Sequence, residues 1–321
     1  MYFTMFIFSP HPNPPPQARE GAKRGRHPTL SSFILSSIKK GFKKVTIPLC
    51  LFLIPSLACG GGLGWGQSEI KRAESKGFKR HYIQTDDFEL TSLIRVNAHL
   101  LPTSENKNLI IYIEGDGRSW INKHTLSKNP TPSYALGLRL AILDPRKNDP
   151  NTLIAYLARP CMFTLQKPSP TTCGSKYWSS HRFSETVIDN MNQAIDKIKA
   201  QEPHVHYIEL IGYSGGASVA LLIAARRNDI NYIRTVAGDV NHEMMTAYHH
   251  TTPLPESLNP IHYVDKLKNI PQTHYIGTQD KIVPNYITQN FVQLSQNDKS
   301  KIVSCKATHQ KGWEEVWSLF E

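Results

Sequence analysis

The run from His206 to Ala225 constrains this chain more than any other stretch. An apolar segment ending at Ile211 leads directly into Gly212-Tyr213-Ser214-Gly215-Gly216, and small and apolar residues follow from Ala217 to Ala225. The first part has the length and composition of a strand buried on both faces. The second reads as a helix packed closely on a sheet. A serine between them, with a glycine two positions to either side, has to stand on a sharp strand-to-helix turn in strained backbone geometry. Such a turn lifts the Ser214 hydroxyl above the sheet and leaves the Gly215 amide at a helix N-terminus, where an oxyanion can bind. By chance alone, G-x-S-x-G turns up in roughly one chain in ten of this length, so its placement between strand and helix carries the weight.

A chain of 321 residues has room for one large α/β domain or two small ones, and its 40% hydrophobic content excludes global disorder. The formal charge of +11 suggests nucleic acid, but its distribution argues against it. Residues 1–59 hold eight of the 37 basic side chains and one of the 26 acidic ones, so they carry +7 of that charge. The remainder is mildly basic and has no Arg/Lys stripe interleaved with aromatics, so no nucleic-acid partner is expected.

The N-terminal region reads in three parts. Residues 1–38, with Ser9-Pro10-His11-Pro12-Asn13-Pro14-Pro15-Pro16 and a basic low-complexity run, are read as disordered or as lying upstream of the true start, although no methionine stands between Met5 and Met162. Residues 39–59 have a secretory layout: Lys39, Lys40, Lys43 and Lys44, the 14-residue apolar stretch Val45 to Ala58, and then Cys59. This resembles a bacterial lipoprotein signal in which Cys59 is lipidated, although Ser56 stands where such signals usually have Leu. Plain cleavage near Ala58 and an uncleaved anchor remain alternatives. The expected location is outside the cytoplasm, periplasmic or anchored to the outer membrane. Residues 60–79 read as a flexible polar tether, and residues 80–321 as the folded domain.

Within that domain, His81–Thr85 and Phe88–Ala98 form an expected hairpin around Asp86-Asp87. Leu109–Ile113 is an expected central strand ending in the turn Glu114-Gly115-Asp116-Gly117. Further strands are expected over 152–157, 232–237, 273–276 and 301–305, and helices over 134–143, 285–293 and 314–320. A helix begins at Ser184, with Val187, Ile188, Met191, Ile195 and Ile198 on one face. This alternation predicts a mostly parallel sheet. Asp280 and His309 each fall just past a late strand, on the edge where such sheets build their sites; Asp239, after an earlier strand, is the rival acid. The His- and Pro-rich excursion after Asp239 has room for a minimal cap and not for a lid domain. A zinc site built from His242, His249 and His250 matches no trusted spacing. Cys161 and Cys173, twelve apart in a Pro/Ser/Thr-rich loop, read as a disulfide in an exported protein, with metal binding or free thiols as the alternatives. Cys305 is left over, expected to be buried in a strand.

The stretches Tyr112–Gly117, Ala158–Cys161, Tyr177-Trp178, His181–Ser184, Gly212–Gly216, Gly277–Asp280 and His309 with Trp313 together resemble the α/β-hydrolase superfamily, and within it small exported bacterial serine hydrolases. The resemblance covers about three-quarters of the chain. It implies the order Ser214, Asp280, His309 as nucleophile, acid and base, with a second oxyanion amide from Gly115, Asp116 or Gly117. Tyr213, Trp178 and Trp313 are expected at the substrate; Tyr177, His181 and Arg182 either reach the pocket or serve the structure. The expected chemistry is hydrolysis of a carboxylic ester or related acyl bond on a small-molecule or lipid-like substrate. It needs no cofactor and no metal, and the molecule is expected to be a monomer whose only membrane contact is its N-terminal signal or lipid. A peptidase or amidase on the same triad, or a binding protein that keeps the fold, are the alternatives.

Overall fold

The computed structural model describes residues 63–95, 107–122, 124–164, 173–202 and 204–319. In chain order the elements are α1 (Leu63–Glu74), β1 (Phe78–Gln84), β2 (Glu89–Arg95), β3 (Lys107–Ile113), β4 (Trp120–Asn122), β5 (Thr125–Leu126), α2 (Leu136–Leu143), β6 (Thr152–Leu157), α3 (Glu185–Lys199), β7 (Val205–Tyr213), α4 (Gly215–Ala224), β8 (Ile230–Val236), α5 (His242–Tyr248), α6 (Val264–Leu267), β9 (Gln272–Gly277), α7 (Asn285–Ser295), β10 (Ser300–Cys305) and α8 (Trp313–Trp317). The residues read as signal and lipidation site, Cys59 included, lie outside the described residues.

Eight strands make one sheet in the order β1-β2-β6-β3-β7-β8-β9-β10. The hairpin β1–β2 and the β2–β6 pair are antiparallel, and every pairing from β6 to β10 is parallel. This is the mostly parallel α/β sheet read from the sequence. The period of two along each strand decides the layering. In β3, Leu109, Ile111 and Ile113 join the core shared with α3 and α4, whereas Ile110 and Tyr112 join the core shared with α1, α2 and α8. Burying both faces is what makes β3, β6 and β7 read as continuous apolar runs. A fully buried aliphatic side chain in either layer stabilises the fold by about 1.5–3 kcal/mol.

One expectation is corrected. The tether assigned to residues 60–79 is helix α1 over most of its length, followed by the start of β1 at Phe78. Ile70 and Ala73 of α1 are fully buried, and Glu69 forms a bidentate ion pair with Arg139 on α2 at 2.6 and 2.9 Å. Arg72 and Glu74 add ion pairs to Glu314 and Arg80, so this polar helix is held by charge pairs as well as by its two buried apolar side chains. The turn after β3 also carries a small hairpin, β4–β5, whose Trp120 and Ile121 are exposed. The excursion after β8 is short helices and turns, α5 and α6 included, in keeping with a minimal cap.

Candidate active site

β7 delivers Ser214 at the centre of the sheet. The turn is as tight as its sequence requires: a Cβ on Gly212 would lie 2.4 Å from the Gly216 carbonyl oxygen, and one on Gly216 would lie 2.4 Å from that of Ile113. Ser214 itself sits at φ +51° and ψ −122°, in the region that L residues rarely adopt. Its amide donates to Val236 at 2.9 Å, and its carbonyl accepts from Ala217 and Asp239, each at 3.0 Å. Neighbouring strand and helix ends thus over-determine the strained residue.

Ser214 Oγ lies 3.0 Å from His309 Nε2, and His309 Nδ1 lies 2.9 Å from Asp280 Oδ2. Because a carboxylate can only accept, the proton sits on Nδ1, and Nε2 is left to accept from the serine hydroxyl. The other Asp280 oxygen accepts from the amides of Ile282 at 2.8 Å and Val283 at 3.0 Å, and the side chain has no exposed surface. The loops bearing acid and base are stitched together: Thr278 donates to Cys305 and Gln279 to Ala307. Tyr213 packs its ring on that of His309 at 5.4 Å and donates its hydroxyl to the His309 carbonyl at 3.1 Å. Asp239, the rival acid, does not meet His309. It is buried beside the elbow, 3.9 Å from Arg182, and burial pushes its carboxyl up to about 7 against the pull of that arginine.

The loop after β3 approaches the elbow closely. A Cβ on Gly115 would meet that of Ser214 at 3.1 Å, and the Asp116 carboxylate lies over Gly215, 2.1 Å from where a Cβ would stand. Of the three amides offered by this loop, that of Gly115 is already given to Glu114 Oε1 at 3.0 Å. A Cβ on Gly117, at φ +63°, would meet the Pro130 carbonyl and Met162. The Gly115 amide is therefore corrected as an oxyanion donor, which leaves those of Asp116 and Gly117 in this loop. The Glu114 carboxylate also accepts from the amides of Gly137 and Leu138 and from the Tyr156 hydroxyl. Burial pushes its pKa up to about 7, and these donors pull it back. Asp116 is held by Arg159 at 3.1 Å and Arg182 at 3.2 Å. Glu114 and Arg159 match no catalytic motif in the sequence, although each lies within two residues of the end of a central strand, where site residues gather.

Trp313 and Trp178 are corrected as substrate contacts. Trp313 is fully buried and donates its indole N–H to the carbonyls of Thr308 and His309, so it fixes the histidine loop from behind. Trp178 is buried in the core with its indole donating to Ser127. The excursion histidines are bound locally: His242 Nε2 meets the Ser257 carbonyl and its ring stacks on Phe183, while His249 Nε2 meets the Ile282 carbonyl. Among the described residues no cluster of His, Cys, Asp and Glu could hold a metal ion. Cys161 and Cys173 are joined as a disulfide, and Cys305 is a buried free thiol.

Residues 156–310 match a family model described as serine hydrolase (FSH1). Among solved structures, an esterase of Pyrococcus furiosus is 15% identical at a TM-score of 0.54, over 78% of this chain and 91% of that one. The acylaminoacyl peptidase of Pyrococcus horikoshii is 13% identical at a TM-score of 0.51, over 78% of this chain but only 41% of the peptidase. No curated protein matches the chain in sequence. The chain has the α/β-hydrolase fold.

Proposed function

We propose that this α/β-hydrolase is a serine hydrolase that cleaves carboxylic esters or related acyl bonds through an acyl-Ser214 intermediate. The observation that carries the reading is the relay Ser214–His309–Asp280, with both hydrogen bonds at ordinary length and the serine on a strained elbow. A serine hydroxyl is a poor nucleophile at neutral pH, so His309 takes its proton as Oγ attacks the acyl carbon. Asp280 stabilises the imidazolium that forms and holds its tautomer. The amide of Gly215 and that of Asp116 or Gly117 receive the oxyanion of the tetrahedral intermediate, each such donor being worth about 3 kcal/mol. His309 then protonates the leaving alcohol, and water enters by the same steps reversed to release the acid.

Support for ester over amide comes from the esterase likeness, which spans most of that chain, whereas the peptidase is matched over less than half of its length. The test is labelling by a fluorophosphonate probe, wild type beside Ser214→Ala, followed by p-nitrophenyl esters of increasing acyl length and an acyl-peptide amide. Loss of label in the mutant and turnover of the esters are expected. An unlabelled, folded wild type would overturn the reading in favour of a binding protein. We further propose that the protein is a monomer exported with a lipid on Cys59. The Cys161–Cys173 disulfide supports an oxidising compartment, and no described helix is long and apolar enough to cross a membrane. Cys59→Ala is expected to release the protein from the membrane fraction.

A further inference from the structure

Four charged side chains converge beside the proposed oxyanion site, more than holding one loop requires. Asp116 is gripped from two sides, by Arg159 Nη1 at 3.1 Å and Arg182 Nε at 3.2 Å, and Arg182 Nη2 lies 3.9 Å from Asp239 Oδ2. The cluster borders the nucleophile at two points. The Asp239 amide donates to the Ser214 carbonyl, and the Asp116 carboxylate rests on Gly215.

The two arginines differ. Arg159 is buried, lies over the Phe183 ring at 5.3 Å, and hydrogen-bonds the Arg182 carbonyl, which fits a fixed scaffold. Arg182, also against Phe183 at 5.1 Å, keeps 17% of its side chain exposed and is the member a ligand can touch. Polar capacity is left over: Arg159 Nε and Asp239 Oδ1 are buried atoms without a hydrogen-bond partner among the described residues. Charge is left over as well. Two guanidinium groups face two carboxylates, and burial holds that of Asp239 partly protonated near neutrality. A site meant only for neutral esters gains nothing from a surplus cation at its rim, whereas a planar guanidinium matches a carboxylate in geometry and charge.

We propose that Arg182 binds a carboxylate of the substrate, so that the preferred substrates are esters carrying a free carboxylate a few bonds from the scissile carbonyl. This rests on the serine-hydrolase reading above. The carboxylate can belong to the acyl part, as in a dicarboxylic acid monoester, or to the leaving group, and the substrates below separate the two.

Wild type is compared on p-nitrophenyl hemiglutarate, its neutral counterpart p-nitrophenyl pentanoate, and on 4-acetoxybenzoate beside its methyl ester. The expected result is a kcat/KM ratio of about tenfold or more in favour of the anionic member of one pair, carried mainly by KM. Arg182→Met is expected to bring that ratio close to one, and Arg182→Lys to keep part of it. The ratio is the readout because a loosened Asp116 would slow both members of a pair alike. In a parallel measurement, calorimetry on Ser214→Ala with monomethyl glutarate and dimethyl glutarate should show binding of the anion only, lost when Arg182→Met is added. A wild type that turns over esters without preferring an anion, or a ratio untouched by Arg182→Met, overturns the inference and leaves the hydrolase reading standing. If instead the protein neither takes the probe nor cleaves any ester, the hydrolase reading fails, and calorimetry decides the anion site alone.

Discussion

Ser214 holds a backbone conformation that costs about 1–3 kcal/mol for a residue with a Cβ, and the Val236, Ala217 and Asp239 hydrogen bonds keep it there. Removing the Cβ should relieve that cost. Ser214→Gly is therefore expected to melt at a higher temperature than Ser214→Ala by scanning calorimetry, with both inactive; equal melting would show that the elbow is unstrained. Glu114 acts on the reaction through the loop it anchors. Glu114→Gln replaces one accepting oxygen with an NH2 donor facing backbone amides that need an acceptor, and should lower kcat by about tenfold with little change in KM, since Asp116 rather than the pocket is displaced. At this scale the nucleophile and base were legible because few residue types fit an elbow and a position after the last strand. The acid was ambiguous, since Asp239 and Asp280 both follow strands, and only the 2.9 Å approach to His309 separates them. Trp313 was misjudged because proximity to His309 in sequence does not say which side of the histidine a ring occupies. Here it packs behind.

Among the elements, those built from apolar runs were read within a few residues, and those built from charge were not. α3 begins at Ser184, whose hydroxyl accepts from the Val187 amide, and it buries the predicted face of Val187, Ile188, Met191, Ile195 and Ile198. Helix α1 buries Ile70 and Ala73 and is held further by Glu69 and Arg139, whose partner Glu314 ties α8 to the same guanidinium at 3.0 Å. No pattern in residues 60–79 announces a partner some seventy positions away. Removing the cation strands a buried carboxylate. Arg139→Met is expected to cost about 3 kcal/mol in urea unfolding and to open the 74–78 connection to proteolysis, whereas the double variant Arg139→Met with Glu69→Met should recover most of the loss.

Burial raises the carboxyls of Glu114, on the loop after β3, and of Asp239, beside the elbow, and this gives stability a direction with pH. Glu114 and Asp239 both titrate near 7 when folded and near their ordinary values, 4.5 and 3.8, when unfolded. Between those limits the folded state holds the extra protons. The stability they contribute is thus complete at the acid end and lost as pH rises to about 7, with a slope of up to about 1.4 kcal/mol per unit for each group. The urea midpoint should fall between pH 5 and pH 8, and Asp239→Asn should flatten that fall. Reducing the Cys161–Cys173 bridge, which closes a loop of twelve, is expected to remove about 3 kcal/mol more, read as a lower melting temperature. Sheet and layers were visible in the sequence because burial on both faces writes continuous apolar strands; the order in which those strands lie side by side was not. That order has a cost in time. Leu109 on the central strand pairs with Leu153 on one side and Ile208 on the other, 44 and 99 positions further along the chain. Loops of that size must close before any pairing rewards them, so folding belongs to the millisecond-to-second regime of non-local topologies. The strained turn, which only a finished sheet can enforce, is then among the last features to form, and a half-folded chain is chemically silent.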